Sequence, residues 1–417
     1  MKACLASLLI AVLLPALSPP AFGGSGGSGY SRYGIGDIRY FAGSRSAALG
    51  GTTIALMSPT SLNRLNPAGQ TKLLRTHFTG TFSYEGFRTT DGSQSAFLST
   101  GTFGGAFLAL PLSIDDGLTF SAGFNPYSTV NYKIRTEHTL GSENYSNLYS
   151  GEGGLSTAVL GFSLTPLDSL NLGLRLNYLS GQLRIGSDVT FTSTELAAAK
   201  YRRTVKANGF GLTLGFIYTG LGRVTGLKSL DGLNVGAIFS TATDLNATQE
   251  NINISPVGED TIATKEGKIR IPVSAGFGIA WLLGEKYLVA GDIFHQQWSD
   301  FRFYDVHPPQ IRNSTRISLG LEIQPSREVG GSYWKKVAYR FGAYYLSSYY
   351  QIGTEPINEV ALTTGLGLPI GADTRLELAL EYGRRGTTDQ QLLRDNILRF
   401  SVTLNVGEKW FVRVEEE

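Results

Sequence analysis

The chain has 417 residues, with 36 basic side chains against 34 acidic ones and a net charge of +2. That balance, with no basic stripe and no acidic tail, gives no case for nucleic acid as a partner. Glycine is abundant (52), tyrosine (20) and phenylalanine (22) are plentiful, and methionine is nearly absent (2), a composition that favours an all-β fold.

The N-terminus carries an export signal: Lys2, an apolar run from Leu5 to Leu17, then Pro19, Pro20 and Ala21-Phe22-Gly23. Cleavage is expected after Gly23, so residues 1–23 form a signal peptide. The apolar run is shorter than the roughly 20 residues a spanning helix needs, and no second such run follows. Cys4 leaves with the signal, so the exported chain carries no thiol. Stability must then come from burial or from a membrane. Residues 24–75 begin with a flexible Gly/Ser stretch, Gly24 to Gly29, and continue as a compact non-barrel segment. It contains Gly50-Gly51, Ser58-Pro59 and Asn66-Pro67-Ala68-Gly69, with a short helical turn expected around Ser44 to Ala48.

From Thr76 to the end, residues 76–417, apolar and polar residues alternate in about 14 segments of membrane-strand length. They begin near Thr76, Thr102, Leu118, Leu155, Leu170, Thr204, Leu233, Ile269, Tyr287, Arg312, Lys336, Asn358, Thr374 and Asn396. The second segment, with Phe103, Phe107, Leu108 and Leu110, is ambiguous in register. Connections after the second, fourth, eighth and twelfth segments are short, and those after the sixth and tenth moderate. Connections after odd-numbered segments are mostly long and polar: Arg88 to Gly101, Asn125 to Gly154, Ile185 to Arg203, Ala242 to Lys268 and Gly383 to Asp395. Short turns on one rim and long loops on the other, with an even strand count, point to a transmembrane antiparallel β-barrel of a Gram-negative outer membrane. Both termini then lie in the periplasm.

The polar phase of these segments collects Glu85, Arg175, Asp292, Arg316, Glu322, Arg340, Glu359, Arg375, Glu377, Glu381 and Arg399. The opposite phase reads Leu170, Leu172, Leu174, Leu176 in one segment and Val273, Ala275, Phe277, Ile279, Trp281 in another. Turning the whole charged set toward lipid would cost on the order of 20 kcal/mol, so the charges line the lumen. Pairing between neighbouring strands, Glu381 with Arg399 and Glu322 with Arg340, accounts for them structurally; a selectivity lining is the other reading. Tyr178, Tyr218, Trp281 and Tyr382 suit interfacial girdles.

The run Leu49-Gly50-Gly51 followed by Leu65-Asn66-Pro67-Ala68-Gly69 resembles the FadL-type long-chain fatty-acid and hydrocarbon transporters of the outer membrane. In that family an Asn-Pro-Ala motif belongs to an N-terminal hatch plugging a barrel of about 14 strands. A second match is Gly123-Phe124-Asn125-Pro126-Tyr127, with Ser128 where the family often has glycine. The C-terminal part, from Tyr339-Arg340-Phe341-Gly342 to Lys409-Trp410-Phe411, resembles FadL-like proteins of Bacteroidetes. The resemblance implies passive uptake of hydrophobic small molecules, with Gly50, Gly51, Asn66, Pro67, Ala68 and Gly69 in the hatch. It also implies a strand kink or lateral exit at Asn125 and Pro126, although a plain strand-ending turn reads equally well there. Phe301, Phe303, Tyr304, Tyr349 and Tyr350 are loop-side aromatics, either meeting a ligand or simply packing the loops. The charge-rich lumen departs from a lipid conduit, which wants an apolar pocket, and leaves a more polar solute open.

The partners expected are outer-membrane lipid, a hydrophobic ligand and, during insertion, the barrel-assembly machinery; the barrel is expected to be a monomer. No cofactor or metal is called for. His77, His138, His295 and His307 are scattered and form neither a Ser-His-Asp order nor a metal-ligand spacing, so an enzyme is not expected. A FadL-like barrel that handles a secreted protein, as the PorV-type shuttle does, would share the fold and remains the alternative.

Overall fold

A computed structural model describes residues 24–40, 43–141, 143–193, 198–255, 258–326, 331–371 and 373–410; the expected signal peptide lies outside the described residues. The chain closes an antiparallel barrel of 14 strands. These are β1 (Thr76–Thr90), β2 (Ser95–Ser113), β3 (Leu118–Pro126, continuing as Ser128–Leu140), β4 (Glu143–Leu167) and β5 (Leu170–Phe191). Next come β6 (Ala199–Tyr218), β7 (Leu233–Ser240, continuing as Thr243–Ser255) and β8 (Gly258–Ile271, continuing as Ser274–Leu283). The last six are β9 (Tyr287–Gln296), β10 (Ser314–Ile323), β11 (Ala338–Ile352), β12 (Glu355–Pro369), β13 (Arg375–Gly386) and β14 (Arg394–Glu408). Closure comes from β14 pairing with β1, from Glu408 opposite Thr76 to Arg394 opposite Thr90. Closure through β14 and β1 removes the free outer edges of the sheet, which is what a membrane strand requires.

Alternation decides the two faces. Leu172, Leu174, Phe277, Ile279, Ile317, Leu319, Leu398 and Leu404 point out and are exposed, whereas Glu85, Asp292, Glu322, Arg340, Glu359, Glu377 and Glu381 are buried inside. The ambiguous second segment has a physical explanation. In the β1–β2 ladder Thr81 faces Gly105 but Phe82 faces Phe103, so Gly104 is an extra residue on β2. This bulge flips the side-chain phase. Phe103 therefore lies outside (51% exposed) and Phe107 inside (3%), although they are an even number of residues apart.

The long polar loops expected on one rim are in fact prolonged strands. The β3–β4 ladder runs on to Leu140 opposite Glu143, β5–β6 to Val189 opposite Ala199, β7–β8 to Ser255 opposite Gly258, and β1–β2 to Thr90 opposite Ser95. Beyond the bilayer both strand faces can be polar, so the alternation fades while the backbone ladder continues. On the opposite rim the connections after β6 and β10 hold short helical turns, Leu221–Thr225 and Tyr333–Lys336.

The N-terminal segment sits inside the barrel. Ile35, Leu49, Ile54, Asn66, Ala68 and Leu73 are fully buried. A one-turn helix, α1 (Ser44–Ala48), packs on β12, β13 and β14, and a 3-10 turn, Pro67–Gln70, packs on the far wall at β4, β5 and β6. The segment thus spans the lumen from wall to wall.

Candidate functional site

The motif residues of the N-terminal segment are docking points. Asn66 caps the Pro67–Gln70 turn by accepting from the Ala68 amide (3.0 Å). Its amide nitrogen donates to the carbonyls of Ile54 (2.7 Å), Phe216 (3.2 Å) and Ala237 (3.4 Å), stitching the segment to β6 and β7. Gly173 and Gly215 of the wall leave the space, since a Cβ on Gly215 would stand 2.1 Å from the Asn66 oxygen. Gly69 lies against Asn63, where a Cβ would come within 2.6 Å. On the other wall, Gly50 and Gly51 have φ of +65° and +81°, a left-handed backbone that glycine permits. The Gly50 amide donates to Thr363 Oγ1 (2.9 Å) and its carbonyl accepts from Arg316.

Charged side chains of the wall and of the N-terminal segment form two connected groups, the second joined internally by Arg385 to Glu359 (3.8 Å). Arg45 donates to both oxygens of Glu322 (2.9 and 3.1 Å), which also accepts from Arg340; Arg340 in turn reaches Glu377. Arg399 pairs with Glu381, with Glu359 (2.9 Å) and with Glu85 (3.4 Å), and Arg39 also reaches Glu85. Tyr344 donates to Glu359 (2.6 Å) and Glu381 (2.7 Å). Arg385 joins Asp37 (2.8 Å) to Asp395 (3.2 Å). The cross-strand pairs Glu322–Arg340 and Glu381–Arg399 thus stand as the strand phase requires. Asp37, Arg39, Arg45, Arg385, Asp395 and Tyr344 were not singled out from the sequence. The first three lie before the alternating region, where no strand phase assigns a direction; the other three do alternate, and their inward phase was the available signal.

Arg316 lies 4.5 Å from the centre of the Tyr344 ring, and other lumen residues bond to the N-terminal segment or to the wall. Asp292 accepts from the Thr53 and Ile54 amides (2.6 and 2.9 Å). Arg175 donates to the Arg64 carbonyl (2.7 Å) and to Asn177 (2.9 Å). Arg375 is half-buried at the start of β13. Arg64, also missed, donates to Thr81 (2.9 Å) and lies 4.3 Å from the centre of the Phe107 ring. Burial pushes its guanidinium down to about 9.

The loop-side aromatics point inward. Phe301, Tyr304, Tyr349 and Tyr350 are buried and Phe303 partly so, in one apolar cluster with Tyr30, Ile35 and Trp298. Trp298 stacks on Tyr349 at 4.3 Å, and Tyr350 donates to Asp37 (2.9 Å) while Tyr349 reaches the Gly36 carbonyl. The cluster therefore ties the loop after β9 and the end of β11 to the N-terminal segment.

Below this apolar cap lie two internal cavities. A larger one, about 210 Å³, is lined by Arg64, Tyr127, Arg175, Asn177, Asp292 and Arg316, together with Val159, Leu179 and Ile271. A smaller one, about 90 Å³, lies among Asp37, Arg39, Glu85, Tyr344, Glu359 and Arg399. Ile38, Arg39, Tyr40 and Gly43 line both.

Asn125 and Pro126 mark a break in the wall. The β2–β3 ladder ends at Ala106 opposite Phe124, while β3 stays paired with β4 through Pro126. Tyr127 donates to the Leu155 carbonyl of β4 (2.8 Å), so by strand alternation the preceding amide faces β2. At Pro126 that position has no proton to give, and the ladder to β2 stops. Outside the break is a depression of about 470 Å³ lined by Phe103, Phe124, Pro126, Thr129, Gly154 and Gln182. Thr102 and Pro126 line both this depression and the smaller internal cavity.

Solved structures share this architecture. The Pseudomonas putida toluene transporter TodX matches at a TM-score of 0.58 and 19% identity, over 90% of this chain and 100% of its own. The Ralstonia pickettii toluene transporter TbuX matches at 0.58 and 14%, over 88% and 98%. A Pseudomonas aeruginosa FadL homologue matches at 0.57 and 11%, over 88% and 99%. No curated protein matches the sequence. The BamG family model matches residues 6–415. A FadL-type plugged barrel is thus the fold, and the chain belongs to the BamG family.

Proposed function

We propose that this protein is an outer-membrane barrel through which hydrophobic or amphiphilic small molecules pass passively, with residues 24–75 as its hatch. The observation that carries this reading is the wall break at Pro126. The N-terminal segment spans the lumen, yet Thr102 and Pro126 line both a cavity beside it and a depression on the outer face. A solute of low polarity gains by leaving sideways into lipid, which a water-filled axial pore cannot offer. The fold relatives are described as toluene transporters and a FadL homologue, which supports the same substrate class. The larger cavity sets Arg64, Arg175, Asp292 and Arg316 among a mainly apolar lining, which favours cargo with a polar end over a pure hydrocarbon. Mass spectrometry of small molecules retained by the purified protein tests this, together with uptake of labelled aromatic and fatty acids by cells that express it. Retention of apolar or amphiphilic compounds, lost when residues 30–70 are deleted, is expected. Empty protein and unchanged uptake would sink it.

A second reading rests on the family match: the name BamG points to an accessory part in the barrel-assembly machinery, with the barrel as a scaffold rather than a conduit. Stable co-purification with assembly components, from cells whose hydrocarbon uptake does not depend on this protein, would favour it.

A further inference from the structure

Neighbouring residues at the upper ends of β13, β14 and β1 turn opposite ways. Phe87, Arg385, Asp395 and Ile397 are buried inside, and Arg385 meets Asp395 there at 3.2 Å. Strand alternation then sends Arg88, Arg384, Arg394 and Asn396 to the outer face. The ladders set them side by side. Asn396 lies opposite Arg88 on one flank and Arg384 on the other, and Arg394 stands one outward position nearer the rim, between Thr90 and Gly386. With strands roughly 4.8 Å apart, Arg384 and Arg88 are about 10 Å from each other along this row.

No carboxylate shares the row. Arg384 is flanked on β12 by Val360 and Arg88 on β2 by Phe97. Among the described residues none of the three arginines has an acidic partner or a hydrogen-bond acceptor, and the Arg394 Nε is shielded from water without one. Elsewhere on the outer face arginines bring their own counter-charge: Arg184 meets Glu152 (3.1 Å) and Arg270 meets Asp244 (3.7 Å). Three cations this close repel one another and gain from an anion that spans them.

The position of the row says where that anion comes from. One outward step toward the opposite rim stand Tyr382 (61% exposed) and Leu398 (46%), and the lipid face continues from there through Leu380. The arginines thus sit at the upper margin of the lipid face, where head groups begin. Their rim is that of the projecting hairpins, opposite the short turns that face the periplasm, so the leaflet is the outer one. Its lipid is lipopolysaccharide, whose lipid A carries a phosphate at each end of a two-sugar head. A guanidinium takes phosphate through paired N–H donors, and a head with two phosphates can bridge arginines two strands apart where a single phosphate cannot.

We propose that the outer face of β13, β14 and β1 is a lipopolysaccharide site. Arg384 on one side and Arg88 with Arg394 on the other hold the two phosphates of lipid A, Asn396 bonds the sugar head between them, and the acyl chains lie over Tyr382, Leu398 and Leu380. The site depends on the outer-membrane setting and not on any cargo, so it stands apart from the uptake reading.

Three purified proteins test it in neutral detergent: wild type, R88Q/R384Q/R394Q, and K200Q/K206Q/K268Q, which removes the same charge from the outer faces of β6 and β8. Native mass spectrometry follows binding of diphosphoryl lipid A, of the same lipid stripped of both phosphates, and of phosphatidylglycerol, with inorganic phosphate as a competitor. Wild type and the lysine variant should bind diphosphoryl lipid A roughly tenfold more tightly than the arginine variant, because the lost contacts are charge-assisted and paired. Heat-modifiable migration should be alike in all three. If the triple arginine variant loses that migration, R384Q, which alters one exposed side chain, replaces it and should still weaken binding severalfold. Equal binding of lipid A by the arginine variant and wild type would overturn the site, as would equal binding of the phosphate-free lipid. Displacement of lipid A by phosphatidylglycerol or free phosphate at equal concentration would overturn it too, since the row would then attract any anion.

Discussion

Asn66 shows how much one side chain can decide. It satisfies the start of a turn and three carbonyls, one from its own segment and two from the adjacent wall strands β6 and β7, all in a buried place. Asn66→Ala leaves these groups unpaired at about 1–3 kcal/mol for each group that water cannot reach. The expected outcome is a barrel that still forms but whose N-terminal segment loosens, seen as faster proteolysis within residues 30–70 at unchanged heat-modifiable migration. Glu322 is the second such residue, since it neutralises Arg45 from the lumen and Arg340 from the wall. Glu322→Gln removes a buried partner, a change that costs about 3–5 kcal/mol when the opposite charge stays behind. A lowered thermal unfolding midpoint is expected, with a smaller drop for Arg45→Met, which leaves the Glu322–Arg340 pair in place. Of this site, Asn66 and Glu322 were legible in the sequence, one through its motif and the other through strand phase. Asn63, which holds Thr53 and Leu56 carbonyls (2.6 and 2.9 Å), was not, because a polar residue in irregular chain has no phase to betray its partners.

The strand elements follow from alternation only while one face meets lipid. Where β3 to β8 rise above that zone, both faces are polar or mixed, and the pattern reads as loop although the ladder continues to Leu140 and Glu143. The turn at Gly141, with φ +66° and open space where a Cβ would sit, is therefore the tip of a projecting hairpin. An epitope inserted after Gly141 should be tolerated and stained on intact cells; staining only after permeabilisation would reverse the orientation of the barrel. β3 carries a second lesson. Pro126 withholds an amide proton from the side that faces β2, which ends that ladder. Pro126→Thr restores the donor, so the β2–β3 ladder should lengthen and hydrophobic uptake should fall while stability changes by less than about 1 kcal/mol. Hydrogen exchange of the new backbone amide at the substituted position, slow rather than fast, checks the lengthening.

At the scale of the molecule, a closed wall surrounds a segment that bridges opposite sides by side-chain hydrogen bonds, ion pairs and an aromatic cap. Deleting residues 30–70 should leave the barrel folded, because every strand pairs with both wall neighbours over part of its length and the β14–β1 ladder closes the wall without that segment. It should also raise ion conductance well above that of the intact protein, measured in planar bilayers. The sequence by itself determined the barrel: strand period, strand count, the charged lumen and the lipid face all follow from a solvent that punishes any other phase. It also marked Asn66-Pro67-Ala68-Gly69, Gly50-Gly51 and Pro126 as places where the regular pattern is interrupted. Only the tertiary structure decided what those interruptions do. Which carboxylate Arg39, Arg45 and Arg385 would meet, that Tyr349 and Tyr350 turn inward onto Tyr30 and Gly36, and that a glycine tail lies between β2 and β3 depend on contacts between residues up to hundreds of positions apart. Period and composition describe a strand against its solvent; they carry no information on which distant backbone will lie beside it.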